Sequence, residues 1–69
     1  KIKTKREQVY DLIKLNALTN YEISDELDMP LSSVCGRVHE LQELNLIENS
    51  GKTRKTKYGK QAIVWQKRK

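Results

Sequence analysis

Two helix-start signals and a single proline divide the first part of the chain into three helical segments. In a capping box, a threonine hydroxyl accepts from the amide three residues on, and a glutamate there reaches back to the threonine amide. The chain has this spacing at Thr4 and again at Thr19. Pro30 disfavours helical geometry at the residue before it and so ends the second segment. The predicted helices cover about residues 4–15, 20–28 and 31–45.

Apolar side chains recur at helical spacing inside each segment, which predicts one buried face per helix. The first helix is expected to end near Leu15, with Asn16 in the left-handed conformation that helix ends often use. In the third segment the helical wheel groups the apolar side chains Val34, Val38, Leu41 and Leu44. The opposite side of that segment carries Ser32, Gly36, His39 and Glu43, flanked by Ser33, Cys35 and Glu40.

The pattern changes after Ile47 to one typical of extended structure. Threonines and Tyr58 favour strands, and Gly51 and Gly59 indicate a bulge or turn. We predict a hairpin with strands over residues 46–53 and 61–66 and a turn over 55–60, in which Ile63 and Trp65 share one face and cover the helices. The predicted class is α+β, mainly α, as one domain over residues 1–69 taken from a longer chain.

The net charge of +5 is distributed unevenly along the 69 residues. Residues 1–6 carry a net charge of +4, residues 7–51 carry −7 and residues 52–69 carry +8. Basic ends on an acidic centre favour a polyanion bound at particular places. Two solvated tails are the alternative that composition alone leaves open.

Several classes of protein are disfavoured by the same sequence. The longest apolar run, residues 62–65, is far shorter than the roughly 20 residues that span a bilayer. One cysteine allows no intrachain disulfide, and Cys35 with His39 is too few ligands for structural zinc. Those two residues, four apart, also lack an oxyanion site or an orienting third group for nucleophilic catalysis. We expect no enzyme activity, no cofactor, no metal, no small-molecule substrate and no membrane partner.

Three short motifs in order resemble the winged helix-turn-helix family, of the small kind found in phage and bacterial regulators and replication proteins. They are Thr19-x-x-Glu22-Ile23-x-x-x-Leu27, Pro30-x-Ser32-Ser33-Val34-x-Gly36-Arg37-Val38-x-Glu40-Leu41 and Leu44-x-Leu46-Ile47, followed by the basic hairpin. The resemblance covers nearly the whole chain. It implies that the third helix enters a DNA major groove and that the hairpin, the wing, follows the backbone or minor groove.

The resemblance assigns the DNA-binding residues by position. In the third helix they are Ser32, Ser33, Cys35, Gly36, Arg37 and His39. In the wing they are Lys52, Arg54, Lys55, Lys57, Tyr58 and Lys60. The basic arm, residues 1–6, is expected to assist.

Residue chemistry agrees with this assignment in part and leaves alternatives open. Lysines and arginine of the wing suit phosphate contacts. Arg37 can read guanine with two hydrogen bonds, or can pair with Glu40, Glu7 or Asp11. Ser32 and Ser33 can cap the helix or bind phosphate at its N-terminus. Gly36 either permits close approach to DNA or is an ordinary surface glycine.

Three further expectations concern the acidic residues of the third helix, the aromatic residues and single-stranded ligands. Glu40 and Glu43 would repel phosphates, so we expect insertion of the third helix by its N-terminal half. Trp65 is expected to be buried rather than stacked on bases, whereas Tyr58 is open to either role. Single-stranded DNA or RNA is a disfavoured ligand.

The predicted function is sequence-specific binding of double-stranded DNA, by a transcriptional regulator or by the DNA-targeting domain of a replication or mobile-element protein. Useful specificity requires a homodimer or a second domain of a parent protein, because one module makes few base contacts. The expected location is the cytoplasm, with the nucleoid in a bacterial or phage setting. The alternative is a protein-interaction or dimerisation module that uses an acidic helical face: Glu7, Asp11, Glu22, Asp25, Glu26 and Asp28.

Overall fold

Three helices are followed by a two-stranded antiparallel sheet in the computed structural model, which describes residues 3–68. The helices are α1 (Lys5–Leu15), α2 (Asn20–Leu27) and α3 (Leu31–Glu43), and the strands are β1 (Ile47–Lys55) and β2 (Gln61–Lys67). The predicted class, α+β and mainly helical, is confirmed. Every predicted boundary lies within two residues of the observed one.

Both predicted capping boxes are present. The hydroxyls of Thr4 and Thr19 accept from backbone amides three residues on, and the paired glutamates accept from the threonine amides. Thr19 is buried, so its hydroxyl satisfies an amide where water does not reach. At the other end of α2, Asp28 takes the left-handed conformation at φ 52° and closes the helix before Pro30.

The end of α1 differs from the prediction. Asn16 is extended, at φ −150° and ψ 143°, and not left-handed. The reason lies two residues further on, where Leu18 forms an antiparallel bridge with Trp65. The Trp65 amide donates to Leu18 O at 2.8 Å and the Leu18 amide donates to Trp65 O at 3.0 Å. The chain must leave α1 in an extended conformation to reach this bridge.

One apolar core joins all five elements. It contains side chains of α1, α2, α3 and both strands: Val9, Ile13, Ile23, Met29, Val34, Val38, Leu41, Ile47 and Trp65. Leu44, predicted to be in this core, is 52 % exposed. It lies just past the end of α3, where Asn45 turns the chain at φ 60°, and Ile47 enters the core instead.

A bulge interrupts the hairpin. Asn49 pairs with Trp65 and Thr53 pairs with Ile63, so three residues of β1 face one residue of β2. Gly51 supports this irregularity at φ 84°. Bulges bend and twist a strand, and Ile63 is 41 % exposed whereas Trp65 is 8 % exposed. The prediction that both side chains cover the helices is therefore correct for Trp65 and wrong for Ile63.

None of the helices described within residues 3–68 is long and apolar enough to cross a membrane.

Candidate nucleic-acid interface

The first turn of α3 presents small polar side chains. Pro30 is the N-cap residue and provides no side-chain cap. Ser32 and Ser33 are exposed and lie inside the helix, so neither hydroxyl caps α3, which was one of the two roles left open for them. The Ser33 and Val34 amides both donate to Pro30 O, at 3.0 and 3.1 Å. The two serine hydroxyls therefore face solvent beside a helix N-terminus, where an anion is favoured.

Cys35 and His39 are exposed on the same helix, but each contacts a different neighbour. The Asn20 side-chain amide donates to Cys35 Sγ at 3.3 Å. His39 Nε2 lies 3.5 Å from Glu43 Oε1, one turn further along. Within residues 3–68 no hydrogen bond joins Cys35 to His39. Cys35 thus contacts Asn20 and His39 contacts Glu43, and the two do not hydrogen-bond to each other.

Gly36 has open space where a side chain would begin. A Cβ built on this residue has nothing within 4 Å outside its immediate surroundings. No neighbour in the described part of the chain therefore requires a glycine here.

Arg37 is engaged within its own helix. Its Nη2 donates to Glu40 Oε2 at 3.1 Å, and its Nε lies 3.0 Å from Oε1 without the alignment of a hydrogen bond. Arg6 Nη1 reaches the same carboxylate at 4.0 Å. Of the ion pairs considered for Arg37, the one with Glu40 is present, while Asp11 pairs with Lys3 and Lys14. A base contact by Arg37 would have to replace this pair.

Two of the hairpin cations turn inward onto α2. Arg54 Nη1 donates to both oxygens of Glu22, at 2.6 and 2.7 Å. Lys57 Nζ donates to Asp25 Oδ1 at 3.2 Å. Both residues were predicted to contact DNA, and both have carboxylate partners in the free protein.

The Tyr58 ring also lies against α2. Its centroid is 5.7 Å from that of Tyr21, with the planes tilted by 54°. Tyr58 is nevertheless 64 % exposed, so only one side of the ring is covered.

The other three lysines predicted for the DNA-binding wing have no carboxylate partner within residues 3–68. Lys52, Lys55 and Lys60 are exposed and have no carboxylate within 4.0 Å in the region from residue 3 to residue 68. Lys60 lies at the turn, where its carbonyl accepts from the Thr56 amide at 2.8 Å. These three ammonium groups are free to meet an anion.

The N-terminus of α2 connects the two predicted parts of the site. Asn20 contacts Cys35 of α3, and the next residue, Tyr21, contacts Tyr58 of the hairpin. Sequence reasoning did not select Asn20 or Tyr21. The available signal was their position directly after the cap Thr19, which places both in the first turn of α2. The exposed face of α3 and the hairpin tip are therefore joined through α2.

The ion pairs shift the ionisation of their members. For Glu22, burial is the largest influence and raises its pKa, but hydrogen bonds from Arg54 and Thr19 outweigh it and leave the pKa below its ordinary value. The hydrogen bond to Asp25, with its negative charge, raises the pKa of Lys57. Both shifts favour the charged forms that hold the hairpin on α2.

The basic arm is also partly engaged. Lys3 pairs with Asp11, and this hydrogen bond is the main cause of the raised pKa of Lys3 and the lowered pKa of Asp11. Residues 1 and 2 lie outside the described residues.

Over the described residues, no group of three or more His, Cys, Asp or Glu side chains is arranged to hold a metal ion.

The chain matches no known protein-family model, and no curated protein is significantly similar to it in sequence.

Proposed function

We propose that this protein binds double-stranded DNA in the manner of a winged helix-turn-helix domain, with α3 in the major groove and the hairpin on the backbone. The observation that carries the proposal is that three lysines of the wing, Lys52, Lys55 and Lys60, have no ion pair within residues 3–68, on the same protein as an α3 face of small polar side chains. The N-terminus of α2 joins these two surfaces.

The hairpin lysines suit the phosphate backbone. Ammonium groups that neutralise phosphates release bound counterions, which supplies sequence-independent affinity. A lysine without a carboxylate partner contacts a phosphate without first breaking an ion pair. Phosphate contacts of this kind orient a protein on the duplex, and sequence is read elsewhere.

The first two turns of α3 suit the base edges. Ser32 and Ser33 are short hydroxyl side chains that hydrogen-bond to several bases. Gly36 adds no bulk to the same exposed side and permits close approach. Arg37 reads guanine by exchanging Glu40 for the base, and the tilt of α3 keeps Glu40 and Glu43 away from phosphates.

The biological role follows the same proposal. One small module makes few base contacts, so a homodimer or a second domain of a parent protein supplies the remaining specificity. A transcriptional regulator and the DNA-targeting part of a replication or mobile-element protein both fit these requirements. The protein would then work where the DNA is, in the cytoplasm or nucleoid of a bacterial or phage-infected cell.

The alternative of an acidic interaction face is less well supported. Four of its six carboxylates have internal partners. Glu7 caps α1, Asp11 pairs with lysines, Glu22 pairs with Arg54 and Asp25 pairs with Lys57. Glu26 and Asp28 are left for a basic partner.

The test is a titration of the protein against a random duplex and a duplex selected from a random pool. We expect Arg37→Ala to remove the preference for the selected duplex, a loss of about 1–3 kcal/mol of discrimination. Lys55→Ala is expected to weaken both duplexes alike. Equal affinity of the unaltered protein for all duplexes would overturn the sequence-specific reading, and no binding of any duplex would overturn the proposal.

A further inference from the structure

We propose that Arg54 and Lys57 are positioning residues, which hold the hairpin tip on α2 so that Lys52, Lys55 and Lys60 meet the phosphates. This inference deepens the proposed DNA binding and rests on it for the phosphate contacts. The holding contact itself belongs to the free protein. We name the three contacts Arg54–Glu22, Lys57–Asp25 and Tyr58–Tyr21 the α2 latch.

The Arg54–Glu22 contact is the best formed of the three. One guanidinium nitrogen donates to both carboxylate oxygens of Glu22, at 2.6 and 2.7 Å. Glu22 Oε1 also accepts from the Thr19 amide at 2.8 Å. The capping box therefore orients the carboxylate that accepts from Arg54. The same oxygen, Glu22 Oε1, takes part in capping α2 and in attaching the hairpin to it.

The other two contacts lie at the hairpin turn. Lys57 reaches Asp25, which is one turn of α2 beyond Tyr21, while Tyr58 reaches Tyr21 itself. The Lys57 ammonium is also 5.5 Å from the Tyr58 ring centroid, within cation–π distance. Neighbouring residues of the turn thus dock on neighbouring residues of one helix.

Strand alternation separates Arg54 from Lys55 on β1. Side chains of successive strand residues point to opposite faces. Arg54 points to α2, so Lys55, the next residue, points away from it. Lys55 pairs across the strands with Gln61, whereas Arg54 pairs with Ala62. Arg54 and Lys55 are therefore neighbouring cations on β1 that can be compared directly. Arg54 has a carboxylate partner on α2, and Lys55 has none within residues 3–68.

A latch is needed because the bulge separates the tip from the core. Beyond the pair Asn49–Trp65 the strands carry mostly exposed residues, and β1 is exposed from Gly51 to Lys55. Exposed ion pairs are individually weak and are screened by salt. The latch is thus a set of weak contacts that act together, and removing its central arginine should release the tip.

The first experiment observes the free protein by NMR. We expect a nuclear Overhauser contact between the Tyr21 and Tyr58 rings in the unaltered protein, in Arg54→Lys and in Lys55→Gln. It should be lost in Arg54→Gln, with the signals of buried Trp65 unchanged. On α2, Asp25→Lys and Glu26→Lys change the charge equally, and only Asp25→Lys should weaken the contact. A full contact in Arg54→Gln, or equal weakening by both lysine variants, would overturn the latch.

The second experiment measures duplex affinity against salt concentration for the same proteins. Loss of a phosphate contact lowers the slope of log K against log salt by about one. We expect that decrease for Lys55→Gln. For Arg54→Gln we expect lower affinity at every salt concentration with a nearly unchanged slope, because a released tip still reaches the phosphates but must be ordered on binding. Affinity should recover in Arg54→Lys. Equal slope losses for Arg54→Gln and Lys55→Gln would make Arg54 a phosphate ligand and overturn the positioning role.

The two experiments separate the two proposals. Failure of the unaltered protein to bind any duplex would end the proposed function and the phosphate half of this inference. The ring contact in the free protein would still decide whether the α2 latch exists.

Discussion

Arg37 and Glu40 form an ion pair within α3, with Arg37 Nη2 donating to Glu40 Oε2 at 3.1 Å. The two side chains are 38 % and 40 % exposed. Pairs at this spacing on a helix surface stabilise it by only about 0.2–0.5 kcal/mol. In the proposed complex the pair is therefore a weak competitor, which a guanine edge or a phosphate displaces.

Glu40→Gln should tighten duplex binding by roughly three- to tenfold, a gain of about 1 kcal/mol. The substitution frees Arg37 and removes a negative charge whose field opposes the duplex even without direct contact between Glu40 and a phosphate. Fluorescence anisotropy with a labelled duplex measures the effect, and Glu26→Gln on α2 is the control for a general change of charge. Unchanged or weaker binding by Glu40→Gln would argue against insertion of α3 next to DNA.

Gly36→Ala should stabilise the free protein by about 1 kcal/mol, because glycine is unfavourable inside a helix. Space for the added methyl group is open. Thermal unfolding would show a rise of about 4–8 °C for a domain of this size. The matched control is Gly51→Ala, where a φ of +84° is strained for alanine, so that stability should fall.

The same Gly36→Ala protein should bind duplex about tenfold more weakly if DNA approaches α3 closely. Because the Gly36→Ala variant is expected to be more stable than the unaltered protein, unfolding could not explain its lower affinity for the duplex. Unaltered affinity in Gly36→Ala would make Gly36 an ordinary surface residue.

Trp65→Ala should cost about 3–5 kcal/mol, a large share of the stability of so small a domain. The ring is buried, and the backbone of this residue holds Leu18 in the bridge. Ile63→Ala, on the same strand, should cost less than about 1 kcal/mol, because its side chain is 41 % exposed. Urea denaturation compares the two. Similar losses would mean that the hairpin packs on the helices along its whole length.

Acid should destabilise the protein through carboxylates that are paired in the folded state. Glu7, Asp11 and Glu22 have pKa values below their ordinary ones, for Glu7 because its hydrogen bonds with Thr4 favour the charged form. A carboxylate whose pKa is lower in the folded protein stabilises the fold at pH values above its unfolded-state pKa. This stabilisation is lost as the pH falls through the folded-state pKa. The free energy of unfolding should therefore decline from about pH 5 downward.

Glu22→Gln isolates the contribution of one of these carboxylates. Glutamine at this position still completes a capping box but carries no charge for Arg54. Urea denaturation at several pH values should give a shallower decline for Glu22→Gln than for the unaltered protein. Glu26→Gln, which removes a carboxylate without an ion pair in the described region, should keep the original slope. Identical curves for all three proteins would exclude a role of Glu22 in the acid response.

The sequence was sufficient for the elements because their signals are local. The capping boxes, Pro30 and the apolar spacing of α3 depend on residues within one or two turns of each other. Two of the errors occur where distant residues decide the conformation. Asn16 is extended because Leu18 pairs with Trp65, 47 residues along the chain. Ile63 is exposed because a bulge on the opposite strand bends the hairpin.

The candidate site was predictable in composition and not in its contacts. A basic hairpin and a small polar α3 face are visible in the residue types. Which cations are free depends on pairs between residues 32 apart, Arg54 with Glu22 and Lys57 with Asp25. Such pairs form only when the hairpin and α2 lie side by side, and no local sequence pattern predicts that placement. Asn20 and Tyr21 were missed for the same reason.

The salt dependence of duplex affinity decides whether the hairpin and α3 bind double-stranded DNA. We predict a linear fall of log K with log salt, and a slope that decreases in magnitude by about 2–3 when Lys52, Lys55 and Lys60 are all changed to glutamine, since each phosphate contact contributes about 0.9. The control is Lys14→Gln on α1, outside the arm and the hairpin, compared with Lys55→Gln, which changes the charge by the same amount. An equal decrease in slope for Lys14→Gln and Lys55→Gln, or no duplex binding at about 50 mM salt, would contradict duplex binding by the hairpin and α3.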